Sequence, residues 1–91
     1  MALKIIFMGT PDFAVPILKS IYKSSNKILE VYTQPPKKKN RGQKIINSPI
    51  HEYSKKKGFS IRNPIIFDDE EINYIEKLKP DLVIVVAYGK I

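Results

Sequence analysis

There is no cysteine anywhere in this 91-residue chain, which excludes disulfides, thiolate zinc sites and cysteine nucleophiles. No apolar run approaches the roughly 18–20 residues that would span a bilayer. The opening Met1-Ala2-Leu3-Lys4-Ile5-Ile6-Phe7 is too short for a signal peptide's apolar core and has no small-residue cleavage site before Gly9. Secretion is not expected, and a cytoplasmic location fits. His51 is the only histidine, so no metal site can be built on a second imidazole, and it reads as a structural or solvent-facing side chain. The four glycines form neither the Gly-x-Gly-x-x-Gly of a dinucleotide fingerprint nor the Gly-Lys-Ser/Thr of a P-loop, which disfavours a nicotinamide cofactor or a nucleoside triphosphate.

Ninety-one residues suffice for one small domain and leave no room for a second. Apolar residues make up 43% and charged residues 27%, the balance of a folded soluble domain rather than a disordered one. The formal charge of +7 is not spread evenly. Residues 35–57 carry eight basic side chains against the single acid Glu52, whereas the rest of the chain holds eight of each sign. All the net charge therefore lies in one quarter of the sequence, the pattern of a localised anion-binding face.

Residues 3–8 form an apolar run with one charge, Lys4, and predict a strand buried on both faces in a parallel sheet. Pro11 would suit a first helical turn capped by Thr10, but Pro16 cannot sit inside a helix, so a tight turn is expected over residues 10–14. The main helix then starts near Pro16, places Ile17, Leu18, Ile21 and Tyr22 against the sheet, and ends near residues 24–26. Residues 28–33 make a second strand in which Glu30 is the one charge. Residues 34–47 are polar and basic, longer than an ordinary strand-to-helix loop, and loops of that length in compact domains are more often functional than idle.

Ser48-Pro49 predicts a capped helix closed by Gly58. Residues 59–62 read as a weak third strand, after which Ile65 and Phe67 are expected to pack inward. Asp68 and Glu71 resemble a capping box opening a helix whose buried stripe is Ile72, Ile75 and Leu78, ended by Pro80. Residues 81–87 are the most strongly patterned strand. Strands alternating with helices give an α/β class: a Rossmann-like open parallel sheet with flanking helices, truncated after the fourth strand. Ligands in such sheets bind at the carboxyl ends of the strands, so residues 9–14 and 87–91 should be neighbours. The last strand would leave one edge and one face of the sheet uncovered, so the chain is expected to be part of a larger protein.

Two groups of residues carry candidate chemistry. Gly9 and Pro11 serve either to shape a tight turn or to face a ligand. Lys37, Lys38, Lys39, Arg41 and Lys44 form either a solvated surface or a phosphate-contacting loop, in which lysines act as point charges, Arg41 forks two oxygens or stacks on a base, and Gly42 allows close backbone approach.

Phe7-Met8-Gly9-Thr10-Pro11-Asp12-Phe13-Ala14-Val15-Pro16, with Tyr32-Thr33-Gln34-Pro35 and Val85-Val86-Ala87-Tyr88-Gly89, resembles the amino-terminal domain of the methionyl-tRNA formyltransferase family along essentially the whole chain. The resemblance implies formyl transfer from 10-formyltetrahydrofolate to the methionyl amino group of initiator tRNA, with no metal and no DNA or membrane partner. It implies that Gly9, Thr10, Pro11 and Phe13, with Ala87, Tyr88, Gly89, Lys90 and Ile91, contribute to a folate pocket. It further implies that Lys37, Lys38, Lys39, Arg41, Gly42 and Lys44 lie in a loop that meets the tRNA acceptor stem. The family more often carries Gly-Arg-Gly-Lys-Lys where this chain has Asn40-Arg41-Gly42-Gln43-Lys44. Its catalytic asparagine, histidine and aspartate lie beyond Ile91, so no residue here is assigned a catalytic role. Residues 1–91 are thus expected to be the amino-terminal part of a formyltransferase domain, its carboxy-terminal remainder absent, and inactive alone. The alternatives are another folate-dependent formyltransferase acting on a small amine or nucleotide sugar, and a non-catalytic basic RNA-binding α/β module.

Overall fold

The apolar opening run forms the spine of the fold. In the computed structural model, which describes residues 2–39 and 44–89, strand β1 (Lys4–Gly9) has every residue after Lys4 buried. Parallel partners flank it: β2 (Lys27–Tyr32) pairs Phe7 with Val31, and β6 (Leu82–Val86) pairs Phe7 with Ile84. Asp81 fixes the second register, because its backbone N–H donates to the Lys4 carbonyl (2.7 Å) while its carboxylate accepts from the Lys4 N–H (2.8 Å). The short β5 (Ile61–Arg62) adds to β2, giving the order β5-β2-β1-β6.

Alternation along β1 divides the core into two layers. Phe7 faces helix α1 (Val15–Lys23) and helix α2 (Pro49–Lys57) in a cluster with Ala14, Leu18, Val31 and Ile50. Ile6 and Met8 face the other way with Tyr32 and Tyr88, and Tyr74, Ile75 and Leu78 of helix α3 (Asp69–Leu78) cover them. Helices on both faces of a parallel sheet match the expected Rossmann-like class.

Local chemistry accounts for the helix ends. A 3-10 turn at Asp12–Ala14 precedes α1, and Pro16 falls within that helix's first two positions, where its missing N–H costs nothing. Ser48 caps α2 by accepting the His51 backbone N–H at 3.0 Å, and Gly58 ends that helix in the left-handed conformation.

The tight turn expected over residues 10–14 is the 3-10 turn at Asp12–Ala14, and the Thr10 hydroxyl is committed elsewhere. Several other expectations are corrected. Ile17 and Tyr22 are 40% and 43% exposed, so only Leu18 and Ile21 of the expected face enter the core. Ile65 is 77% exposed, whereas Phe67 does pack inward. Asp68 caps α3 through the Glu70 N–H, and Glu71 points to the sheet instead of back to the cap. The buried stripe of α3 therefore runs through Glu71, Tyr74, Ile75 and Leu78, leaving Ile72 outside. The basic stretch is also not wholly a loop: β3 (Lys37–Lys39) and β4 (Lys44–Ile46) pair antiparallel as a hairpin.

Candidate functional site

The carboxyl ends of β1, β2 and β6 meet at one atom, the carbonyl oxygen of Tyr88. The Thr10 hydroxyl, just past β1, donates to it at 2.9 Å, and the Gln34 side-chain amide, just past β2, donates to it at 3.1 Å. Gln34 also donates its backbone N–H to Thr10 Oγ1 at 3.3 Å, closing a triangle between the three strand ends. The expectation that residues 9–14 neighbour the segment after the last strand is met here.

Gly9 owes its identity to this close approach. A Cβ there would lie 2.8 Å from Phe7 Cε2, nearer than real contacts allow, and 3.0 Å from the Val86 carbonyl oxygen, tighter than most. Gly89 has φ +94, and a side chain on it would meet Gln34 Nε2 at 2.6 Å. Ala87 also adopts positive φ, +51, which strains an L-residue. Tyr88 between them is held by its ring, which is 1% exposed and stacks edge-on with Tyr32 and Phe67. Burial, and secondarily the charge of Glu71, pushes the Tyr88 phenol up to about 12, so it stays neutral and acts as an apolar anchor.

Beside this junction, on the β2 side of β1, lies a cavity of about 400 Å³. Thr10, Pro11 and Asp12 form one wall, Gln34 and Pro35 the floor of the β2 exit, Lys37 and Ile46 the hairpin side, and Asn47, Ser48 and Pro49 the amino end of α2. The register explains the hairpin's contribution: Lys37 pairs with Ile46 and both line the cavity, while Lys38 and Ile45 pair on the opposite face. That outer face is open, with Ile45 68% exposed. The α2 terminus is tied in through the Ile50 N–H to the Thr10 carbonyl (3.5 Å) and through a Thr33–Ser48 hydroxyl pair. Lys37 and the amino end of α2 give the cavity an anion-favouring side, with Asp12 opposite.

The sequence-predicted residues separate accordingly. Thr10 and Pro11 line the cavity, Phe13 stands 60% exposed beside it, and Gly9 is wholly enclosed. Ala87, Tyr88 and Gly89 adjoin Thr10 and Gln34 but do not line the cavity. Lys37, Lys38 and Lys44 are exposed on the hairpin, and Lys39 occupies its last β3 position. Arg41, Gly42, Lys90 and Ile91 lie outside the described residues. His51 sits in the first turn of α2, and its side chain takes no part in the cavity.

Sequence reasoning missed Gln34 and also missed a polar network beneath α3. Glu30, 0% exposed, accepts from the Ser60 hydroxyl (2.8 Å) and the Tyr74 hydroxyl (2.6 Å). Arg62 forks Glu71 through two bonds of 2.8 and 2.9 Å and covers the Tyr74 ring at 4.1 Å, while the Tyr32 hydroxyl donates to Glu71 at 2.7 Å. The Arg62 guanidinium holds the Glu71 carboxyl below its ordinary range, and burial with the Glu71 bond raises the Tyr32 phenol. The one sequence signal was Glu30, a lone acid in an apolar strand. Among the described residues no group of three or more histidine, cysteine or acidic side chains could hold a metal ion, and no helix is long and apolar enough to cross a membrane.

Residues 3–91 match the formyl transferase family. The chain is 54% identical over 93 aligned positions to a methionyl-tRNA formyltransferase of Pelagibacter ubique (strain HTCC1062), covering all of this chain and 30% of that protein. It is 46% identical to one from Alkaliphilus oremlandii (strain OhILAs), covering 98% of this chain and 29% of the relative. It is 45% identical to one from Coxiella burnetii (strain RSA 331 / Henzerling II), covering 100% of this chain and 29% of the relative. The chain thus spans under a third of the length of these relatives.

Proposed function

Because this chain belongs to the formyl transferase family, we propose that it is the amino-terminal part, residues 1–91, of a formyltransferase domain that moves a formyl group from 10-formyltetrahydrofolate to the amino group of methionine on initiator tRNA. The proposal covers a cytoplasmic enzyme of translation initiation. One observation carries it: a lysine-lined hairpin rises from the same junction of strand ends that holds the turn after β6. A small amine acceptor needs no such surface, whereas a tRNA acceptor stem brings phosphates to it.

The geometry supports one division of labour. The donor supplies an activated formyl carbon for attack by the methionyl amine. Phe13, with its exposed ring, and the 87–89 turn would hold the donor's planar ring system, and by family resemblance Lys90 and Ile91 would contribute to the same pocket. Thr10 and Pro11 would separate donor from acceptor, since both line the cavity and Thr10 also belongs to the junction. Gly9 would act indirectly, by letting β1 and β6 approach. Lys37, Lys38, Lys39 and Lys44, with Arg41-Gly42 between the strands, would neutralise acceptor-stem phosphates. A volume of about 400 Å³ is in the range of small-ligand sites, enough for part of an acceptor end. No residue of this chain is proposed as the base or the oxyanion donor, so the chain is proposed to be inactive alone.

The test is donor and tRNA binding by the full-length protein, before and after Arg41→Ala. Donor binding in both forms, with weaker tRNA binding and formylation only in the variant, supports the reading. Equal tRNA affinity in variant and parent removes the loop from the mechanism, and absence of donor binding in the parent leaves a basic RNA-binding module.

A further inference from the structure

We propose that Gln34 is a positioning residue for the turn after β6, and through it for donor binding, an inference that rests on the reading above that this turn faces the folate donor. The argument begins with strain. Residues 87–89 leave the strand through two positive φ values, +51 at Ala87 and +94 at Gly89, and the first is carried by a residue with a Cβ. Such a conformation persists only where its surroundings over-determine it.

Two constraints do so. The Tyr88 ring is locked in the aromatic layer with Tyr32 and Phe67, which fixes one end of the residue. Its carbonyl is fixed by paired donors, Thr10 Oγ1 at 2.9 Å and Gln34 Nε2 at 3.1 Å. Gln34 additionally packs against Gly89 so closely that a Cβ there would meet its amide nitrogen at 2.6 Å and its Cδ at 3.6 Å. Thr10 has a single proton, which it gives to the Tyr88 carbonyl, and only Gln34 atoms lie against Gly89. Gln34 is therefore the residue that reaches both the carbonyl and the following glycine.

The side chain must donate, and that requirement separates positioning from packing. Gln34→Met keeps the volume and loses the donor; Gln34→Glu keeps the shape and replaces the donor by a carboxylate that repels the carbonyl. In the full-length protein both variants should raise the Kd and KM for 10-formyltetrahydrofolate, about tenfold for Met and further for Glu, with kcat within about threefold of the parent. A role in packing alone predicts parental donor affinity for Gln34→Met, and that result overturns the proposal.

Hydrogen–deuterium exchange without ligand separates this proposal from the functional reading. Faster exchange at residues 87–89 in both variants supports the clamp even if the parent protein binds no folate, an outcome that would sink the reading of the turn as a donor wall. Unchanged exchange in this segment overturns the clamp whatever the parent binds.

Discussion

Gly9→Ala is the smallest change that tests whether the junction of strand ends is as close as described. The added methyl meets three groups at once: Phe7 Cε2 at 2.8 Å, the Val86 carbonyl oxygen at 3.0 Å and Ala14 Cβ at 3.3 Å. Ordinary carbon contacts settle at about 3.5–4.0 Å, so the neighbours must retreat by several tenths of an ångström. None retreats freely, because Phe7 and Ala14 are 0% exposed and Val86 is the register partner of Gly9. Overpacking of this kind costs about 1–3 kcal/mol. In the longer full-length protein each kcal/mol lowers Tm by roughly 2–4 °C. The easiest relief is to move the end of β6 away from β1, which also shifts the 87–89 turn that follows. Gly9→Ala is therefore expected to lower both Tm and donor affinity, read by thermal unfolding and donor titration of one preparation. A parental Tm would refute the packing argument. A lowered Tm with unchanged donor affinity would refute the link between Gly9 packing and the turn.

Three further outcomes follow from the same structure. Ser48→Ala removes the α2 cap and leaves Thr33 without its hydroxyl partner, so urea unfolding should show a loss of about 1 kcal/mol. Replacing Lys37, Lys38 and Lys44 together by alanine should flatten the dependence of log K on log salt for tRNA binding by about 0.7–0.9 for each phosphate these side chains neutralise; an unchanged slope would mean that these lysines touch no phosphate. Glu71 titrates below its ordinary value of 4.5 because Arg62 bonds its charged form, so its contribution to stability is full above 4.5 and is lost as pH falls through the lower folded value. Glu71→Gln should remove that part of the acid dependence, seen as a shallower fall in urea stability over the acid limb; an unaltered profile would show that the Arg62–Glu71 pair is not responsible.

What the sequence made legible was local. Ser48-Pro49 and Gly58 bracket α2 because capping chemistry acts within a few residues, and residues 3–8 announce a buried strand by composition alone. The basic hairpin was hidden because three consecutive lysines carry no strand signal; their pairing comes from Lys44–Ile46 across the intervening residues. Glu71 sits at capping-box spacing from Asp68, but Tyr32, 39 positions away in sequence, and Arg62 claim its carboxylate. That rotates the buried face of α3 away from Ile72. Of the candidate site, residues 9–14 and 87–89 could be placed together from the topology of a parallel sheet. The hydrogen bond that joins their neighbourhood to β2, Gln34 to Tyr88 across 54 positions, leaves no trace in spacing or composition.

The most direct measurement is transfer of labelled formyl from 10-formyltetrahydrofolate by the full-length protein, with initiator methionyl-tRNA, free methionine and a nucleotide-sugar amine offered in parallel. Formylation of the methionyl-tRNA alone is the expected result. Efficient formylation of a small amine, with methionyl-tRNA untouched, would contradict the assignment of the lysine hairpin to a tRNA acceptor.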